Sequence, residues 1–239
     1  MGAQTTSETA VEVVDLATTP LRGLNQRLHE LGGGAPGPRR WRVLNPRGAH
    51  AVACGLDAEI EVEIEGHVGY YCAGMNKLAT VCVRGNASTG LAENMMSGTV
   101  VIDGNASQSA GASAHGGLLV VHGDAAARCG ISMKGVDIVV RGSVGHLSGF
   151  MAQTGSLVVC GDAGEALGDS IYEARLYVRG EVDGLGADCI EKELRDEHVA
   201  QVHALLERAG IDDVDPGSFR RYGSARRLYN FHVDNAGAY

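Results

Sequence analysis

Val100-Val101-Ile102-Asp103-Gly104-Asn105-Ala106, Leu119-Val120-Val121-His122-Gly123-Asp124-Ala125 and Ile138-Val139-Val140-Arg141-Gly142-Ser143-Val144 are three heptapeptides of one design, spaced 19 residues apart. The same glycine recurs outward in both directions, at Gly66, Gly85, Gly104, Gly123, Gly142, Gly161 and Gly180. Four residues before it stand Val62, Val81, Val100, Leu119, Ile138, Leu157 and Leu176; two before stand Ile64, Val83, Ile102, Val121, Val140, Val159 and Val178. Val68, Ala87, Ala106, Ala125, Val144, Ala163 and Val182 follow it by two, and seven after comes a second small position, Ala73, Ala92, Gly111, Gly130, Gly149, Gly168 and Ala187. A fixed period over seven units is the mark of a repeat architecture.

Apolar residues two apart, with a different residue type between them, describe strands whose side chains alternate between two faces. Nineteen residues leave no room for a helix, a strand and their turns, which disfavours a leucine-rich horseshoe and excludes the longer helical repeats. The expected fold is all-β: a right-handed parallel β-helix of about seven coils, roughly 34 Å long at one strand spacing per coil. The recurring glycine is expected where each coil turns sharply. The β-helix should span 48–189, with a short capping helix inside 1–47 and a helix plus an extended arm in 190–239.

Composition agrees with this reading. The chain of 239 residues holds 35 glycines, five prolines and only 5% aromatic residues, yet 44% is apolar, which separates it from a disordered chain. Its net charge of −9 argues against nucleic acid as the partner. No basic run leads into an apolar segment at the N-terminus and no stretch has the length of a membrane span, so a soluble cytoplasmic protein is expected.

Solenoid ends need caps, because open strand edges invite further pairing. Thr19-Pro20 should open an amphipathic helix through Leu21, Leu24, Leu28 and Leu31 that stops at Gly32-Gly33-Gly34, with Thr19 as N-cap. A second helix is expected over 191–208, ended by Gly210. At the outward position between the two inward residues, the middle coils carry Val101, Val120, Val139 and Val158, an apolar stripe that either the chain's own tail or a partner should cover. The arm concentrates Phe219, Tyr222, Tyr229, Phe231 and Tyr239 among Arg220, Arg221, Arg226 and Arg227, a composition typical of buried interface cores. It should lie on its own domain or on a partner subunit. Glu65, Arg84 and Asp103, just before successive glycines, are expected to form a surface charge ladder.

Reacting groups are scarce. Cys54, Cys72, Cys82, Cys129, Cys160 and Cys189 form no C-x-x-C pair and read as small structural residues. The nine histidines share no register on adjacent coils, and the glycines make neither a phosphate loop nor a dinucleotide fingerprint. Cys129-Gly-Ile-Ser-Met-Lys-Gly135 fits a coil turn better than a phosphate cradle. Asn86-Ala87-Ser88 and Asn105-Ala106-Ser107 match glycosylation sequons but occupy one repeat turn. No catalytic, cofactor-binding or metal-binding residue is assigned.

The repeat resembles the GXGXG domain, the β-helical carboxy-terminal domain of the large subunit of glutamate synthase. Gly69-Tyr-Tyr-Cys-Ala-Gly-Met-Asn76, Ala92-Glu-Asn-Met-Met-Ser-Gly98, Gly130-Ile-Ser-Met-Lys-Gly135, Gly168-Asp-Ser-Ile-Tyr-Glu-Ala174 and the tail from Arg220 are similar to the stand-alone GXGXG subunit of N-methylglutamate synthase. The resemblance implies a scaffold subunit in a hetero-oligomer with a class II glutamine amidotransferase-like subunit and a synthase subunit that carries FMN and an iron–sulfur cluster. It brings no catalytic residue onto this chain. The same scaffold in a glutamate synthase-like complex with another substrate is the alternative. An enzyme with its site on the β-helix surface would need a carboxylate cluster over adjacent coils, which the sequence lacks, and a free-standing structural oligomer should be stable alone.

Overall fold

The computed structural model describes residues 11–228. Its elements in chain order are β1 (Val11–Asp15), α1 (Leu21–Gly32), β2 (Arg40–Leu44), β3 (Glu61–Glu65), β4 (Thr80–Arg84), β5 (Thr99–Ile102), β6 (Leu118–Val121), β7 (Lys134–Val140), β8 (Thr154–Val159), β9 (Arg175–Val178), β10 (Cys189–Lys192), α2 (Asp196–Arg208) and β11 (Arg220–Ser224). All strands join one sheet in the order β1-β2-β3-β4-β5-β6-β7-β8-β9-β11-β10. From β1 to β9 every pairing is parallel, so the chain is a parallel β-solenoid of about seven turns.

The register follows the sequence period. Val62, Val81, Val100, Leu119, Ile138, Leu157 and Leu176 pair in one continuous row, each buried. Around the coil, Val68, Ala87, Ala106, Ala125, Val144, Ala163 and Val182 make a second parallel row of single bridges. Like side chains stacked above like fill the interior without helices, and burial of each aliphatic side chain contributes about 1.5–3 kcal/mol.

The repeat glycines owe their place to proximity rather than to a turn. Only Gly66 of the seven has positive φ. A Cβ on Gly104 would stand 2.1 Å from Asn86 Oδ1, and one on Gly85 2.7 Å from the Gly66 carbonyl. The coils come backbone to backbone here: the N–H of Gly104 donates to the Gly85 carbonyl, and that of Gly123 to Gly104, both at 3.0 Å. The expectation of a sharp glycine turn is therefore replaced by one of close backbone approach.

The left-handed residues lie elsewhere. Five, seven and nine residues after the glycine, each complete coil places three alternate residues at positive φ: Ser109, Gly111 and Ser113 in one coil, Arg128, Gly130 and Ser132 in the next. Their amides point alternately up and down the stack. The Ser109 and Ser113 N–H groups donate to Ala127 and Ile131 in the coil above, while that of Gly111 donates to Leu91 in the coil below. For residues other than glycine this conformation costs roughly 1–2 kcal/mol, and each hydrogen bond returns about 0.5–1.5 kcal/mol.

The ladder begins before the period does. β2 pairs with β3 at an offset of 21 residues and β1 with β2 at 29, so two strands precede the first repeat. α1 packs Leu24 and Leu28 into the same core as Val14, Trp41 and Val43. Asn25 ties it to the first coil, donating to the Ala51 carbonyl (2.8 Å) and accepting from Ala53 N–H (3.1 Å). Helix α1 starts at Leu21 with Pro20 as N-cap and no side-chain cap, so Thr19 does not serve as expected; the Pro20 carbonyl itself accepts from Gly23 (2.9 Å). Helix α2 starts at Asp196 instead of Glu191, because Cys189–Lys192 is drawn off as β10, paired antiparallel with β11. β11 also pairs antiparallel with β9 and closes the parallel stack at its far end.

Candidate assembly surface

The valine stripe lies in one row, Val101, Val120, Val139 and Val158 in register and Tyr177 beyond. The chain's own helix covers most of it. Val120, Val139, Val158 and Tyr177 are buried with Val202, Leu205 and Leu206 of α2, with Ala209 that caps it and with Phe219, forming a second apolar core outside the solenoid. Polar pins fix the edges: Tyr177 Oη donates to Gln201 Oε1 (2.9 Å), Gln201 Nε2 to Ser156 Oγ (3.0 Å), and Arg141 to Asp213 (2.7 Å). Of the two occupants left open by the sequence, the tail takes Val120, Val139 and Val158, which removes them from any surface a partner could reach. Val101 stays half-buried at the rim.

The arm divides likewise. Tyr222 enters the solenoid core and Phe219 the outer one. Arg220 donates to the Gly180 carbonyl (2.6 Å), Arg221 to that of Glu193 (3.1 Å), and Arg226 to Glu173 (2.9 Å). The backbone N–H of Arg227 donates to Asp188 Oδ1 (2.9 Å) and Ser224 Oγ to Oδ2 (2.6 Å). Desolvation raises the Asp188 pKa, but these donors together outweigh it and hold the carboxyl below its usual range. The arginines thus fasten β11 and its exit to their own domain. Tyr229, Phe231 and Tyr239 lie outside the described residues.

The cysteines are all free. Burial pushes the Cys72, Cys129 and Cys189 thiols up to about 12 and Cys160 to about 11, so these four are protonated at neutral pH and are not thiolate nucleophiles. Among the described residues no group of three or more His, Cys, Asp or Glu side chains could hold a metal ion, and no helix is long and apolar enough to cross a membrane. The charge ladder exists with a different partner: Arg84 bridges Glu63 (2.8 Å) and Asp103 (3.2 Å), while Glu65 pairs with Arg42.

One uncovered apolar surface escaped the sequence reading. On the first repeat coils Tyr70, Met75, Leu78 and Met96 are 50%, 48%, 45% and 48% exposed. Met75 and Met96 lie on neighbouring backbone, since the Met75 N–H donates to the Glu93 carbonyl (2.8 Å) and the Met96 N–H to that of Asn76 (2.7 Å); Leu78 and Tyr70 adjoin the same next coil, 3.2 Å and 3.6 Å from where a Cβ would stand on Gly98 and Gly90. Tyr70 is buttressed by the Tyr71 ring, 5.5 Å away, and by the edge of His50. A Cβ at Gly74 would stand 2.4 Å from the Tyr71 ring, so the glycine lets that ring lie flat. Consecutive tyrosines in a chain poor in aromatics were the available signal. Tyrosine and methionine are enriched in interface cores.

Fold and surface together define a parallel β-solenoid with a helix-covered flank and a Tyr/Met patch left open. No family model matches the chain. It is similar to Protein GlxC of Rhizobium meliloti (strain 1021), with 63% identity over 227 residues that cover 95% of this chain and 99% of that protein. The chain belongs to the GlxC family.

Proposed function

We propose that this protein is a non-catalytic scaffold subunit of an N-methylglutamate synthase-type complex, in which methylamine and glutamate give N-methylglutamate and ammonia. The observation that carries the scaffold role is the open patch of Tyr70, Met75, Leu78 and Met96 on a stack of coils hydrogen-bonded throughout. A patch of this composition, held on rigid backbone, suits a large partner better than a small substrate. The partners inferred from the resemblance are a class II amidotransferase-like subunit and a synthase subunit holding FMN and an iron–sulfur cluster.

The test is gentle purification of the tagged chain from its native host, with mass spectrometry and an absorption spectrum of what co-elutes. An amidotransferase-like chain and a yellow flavoprotein support the reading, and a methylamine-plus-glutamate assay then names the reaction. Tyr70→Ser with Met96→Ser should lose the partners and keep the thermal transition. A colourless single species from the unmutated chain overturns the proposal.

A further inference from the structure

Beyond the N-terminus of α2, the outer face of the sheet opens into a cleft of about 570 Å³ between β9, β11, β10 and the start of the helix. Gly223 lies at its floor and brings no side chain of its own. On β11 Tyr222, Gly223 and Ser224 are all buried, and the alternation of the strand puts Gly223 on the same face as Arg221, opposite Tyr222. Arg221 pairs in register with Tyr177 on one side and Lys192 on the other, and Gly223 pairs with Ile190. The atoms nearest to a Cβ on Gly223 would be Cδ and Cε of Lys192 and the Ala174 carbonyl oxygen, at 3.7–3.8 Å, so the Lys192 chain runs beside the glycine.

The walls are cationic in a chain of net charge −9. Arg175, Lys192, Arg195, Arg221 and Arg226 line the cleft against three carboxylates, Glu173, Glu193 and Glu197. Two of the carboxylates are committed, Glu173 to Arg226 and Glu193 to Arg195, each pair about half exposed or more. Arg175 donates to the neutral Gln201 (2.8 Å), and among the described residues Lys192 has no ion pair. The Arg221 side chain, one of whose nitrogens donates to the Glu193 carbonyl, has its Nε buried without an acceptor. A guanidinium has five N–H donors in a fixed fork, suited to planar or tetrahedral oxyanions.

We propose that the cleft over Gly223 is a binding site for a small oxyanion, a ligand presenting a carboxylate or phosphate group to Arg221, Lys192 and Arg175. The assignment is independent of the scaffold reading, since the cleft lies at the closed end of the stack and the Tyr/Met patch on the first repeat coils. The ligand sits over the glycine floor with Arg221 behind it and Lys192 and Arg175 at its sides.

The test is titration of the full-length protein with sodium phosphate and, separately, sodium succinate, at constant ionic strength set with chloride and followed by amide NMR. Saturable shifts centred on Gly223, Lys192 and the first turn of α2 are expected with at least one probe. Lys192→Gln should weaken binding at least fivefold, and Gly223→Val, which fills the floor, should abolish it with the thermal transition retained. Should Gly223→Val fail to fold, Lys192→Gln combined with Arg175→Gln replaces it. Absence of saturation with both probes overturns the proposal, as does saturation that none of these variants changes.

Discussion

Asn86 Oδ1 accepts the backbone N–H of Asn105 at 2.8 Å, and Asn105 Oδ1 accepts that of Asp124 at the same distance. The relay runs the length of the stack: Asp124 takes the Ser143 N–H, Ser143 that of Asp162, and Asp162 that of Glu181, while His67 Nδ1 takes the N–H of Asn86 at the other end. Each side chain therefore binds the coil above, which is why the two sequon-like segments carry asparagine. Asn105→Ala should cost about 0.5–1.5 kcal/mol in urea unfolding, and Asn105→Asp much less, since Asp124 performs the same task one coil later. Equal losses for the two variants would remove the side-chain acceptor from the explanation.

Val139 is fully buried between the sheet and α2. Val139→Glu should cost at least about 3 kcal/mol, because an unpaired charge would be sealed in an apolar core. Hydrogen exchange should show α2 losing protection first, ahead of β3–β9. Retention of wild-type stability would mean that α2 does not cover the stripe.

Two glycines separate two costs. Gly104→Ala drives a methyl into Asn86 and the backbone below, whereas Gly34, at φ +85, has nothing within 4 Å of the position a Cβ would take. Gly34→Ala should cost about 1–2 kcal/mol from left-handed backbone alone, and Gly104→Ala clearly more. Denaturation midpoints compared at equal m-value decide it; the reverse order would restore the sharp-turn account of the repeat glycine.

His198, 4% exposed, accepts the Arg195 N–H through Nδ1 (3.1 Å) at the start of α2. Desolvation first, then the charge of Arg221, lowers its pKa below 6.5, with Glu197 opposing and Arg175 and Arg195 assisting. The folded state thus disfavours the protonated ring. The resulting stability is complete above the unfolded pKa of 6.5 and declines as pH falls through 6.5 toward the lower folded value. The His198 ring signals in NMR should titrate with a midpoint below 6.5, and His198→Gln should flatten the acid-side decline in this window. A midpoint at or above 6.5 would contradict the burial.

The middle of this fold was open to sequence reading because one residue pattern, repeated, has one periodic solution: Val100, Leu119 and Ile138 stack as their spacing demands. Its ends were not. β2 reaches β3 across 21 residues and so drops out of a 19-residue comparison, and Glu191 and Lys192 are as compatible with a helix as with the strand they form. The left-handed triplets stayed hidden because most of their positions hold residues other than glycine, among them Ser109, Arg128 and Met151. The apolar faces of the stripe and of α2 were each visible, but their mutual fit depends on β11 turning the chain back, a long-range pairing that no local pattern encodes. The cleft over Gly223 needs the same pairing.

The relay from Asn86 to Glu181 passes through one side chain per coil and no other element, so it makes the stack divisible. Excising or adding a whole 19-residue unit would leave the relay and both rows of bridges unbroken and change the distance between the two ends by about 4.8 Å. The molecule is a ruler with discrete graduations, on which the Tyr/Met patch and the basic cleft are marks separated by a whole number of steps. Selection could tune the reach between them by duplication or loss of units, without redesigning either surface.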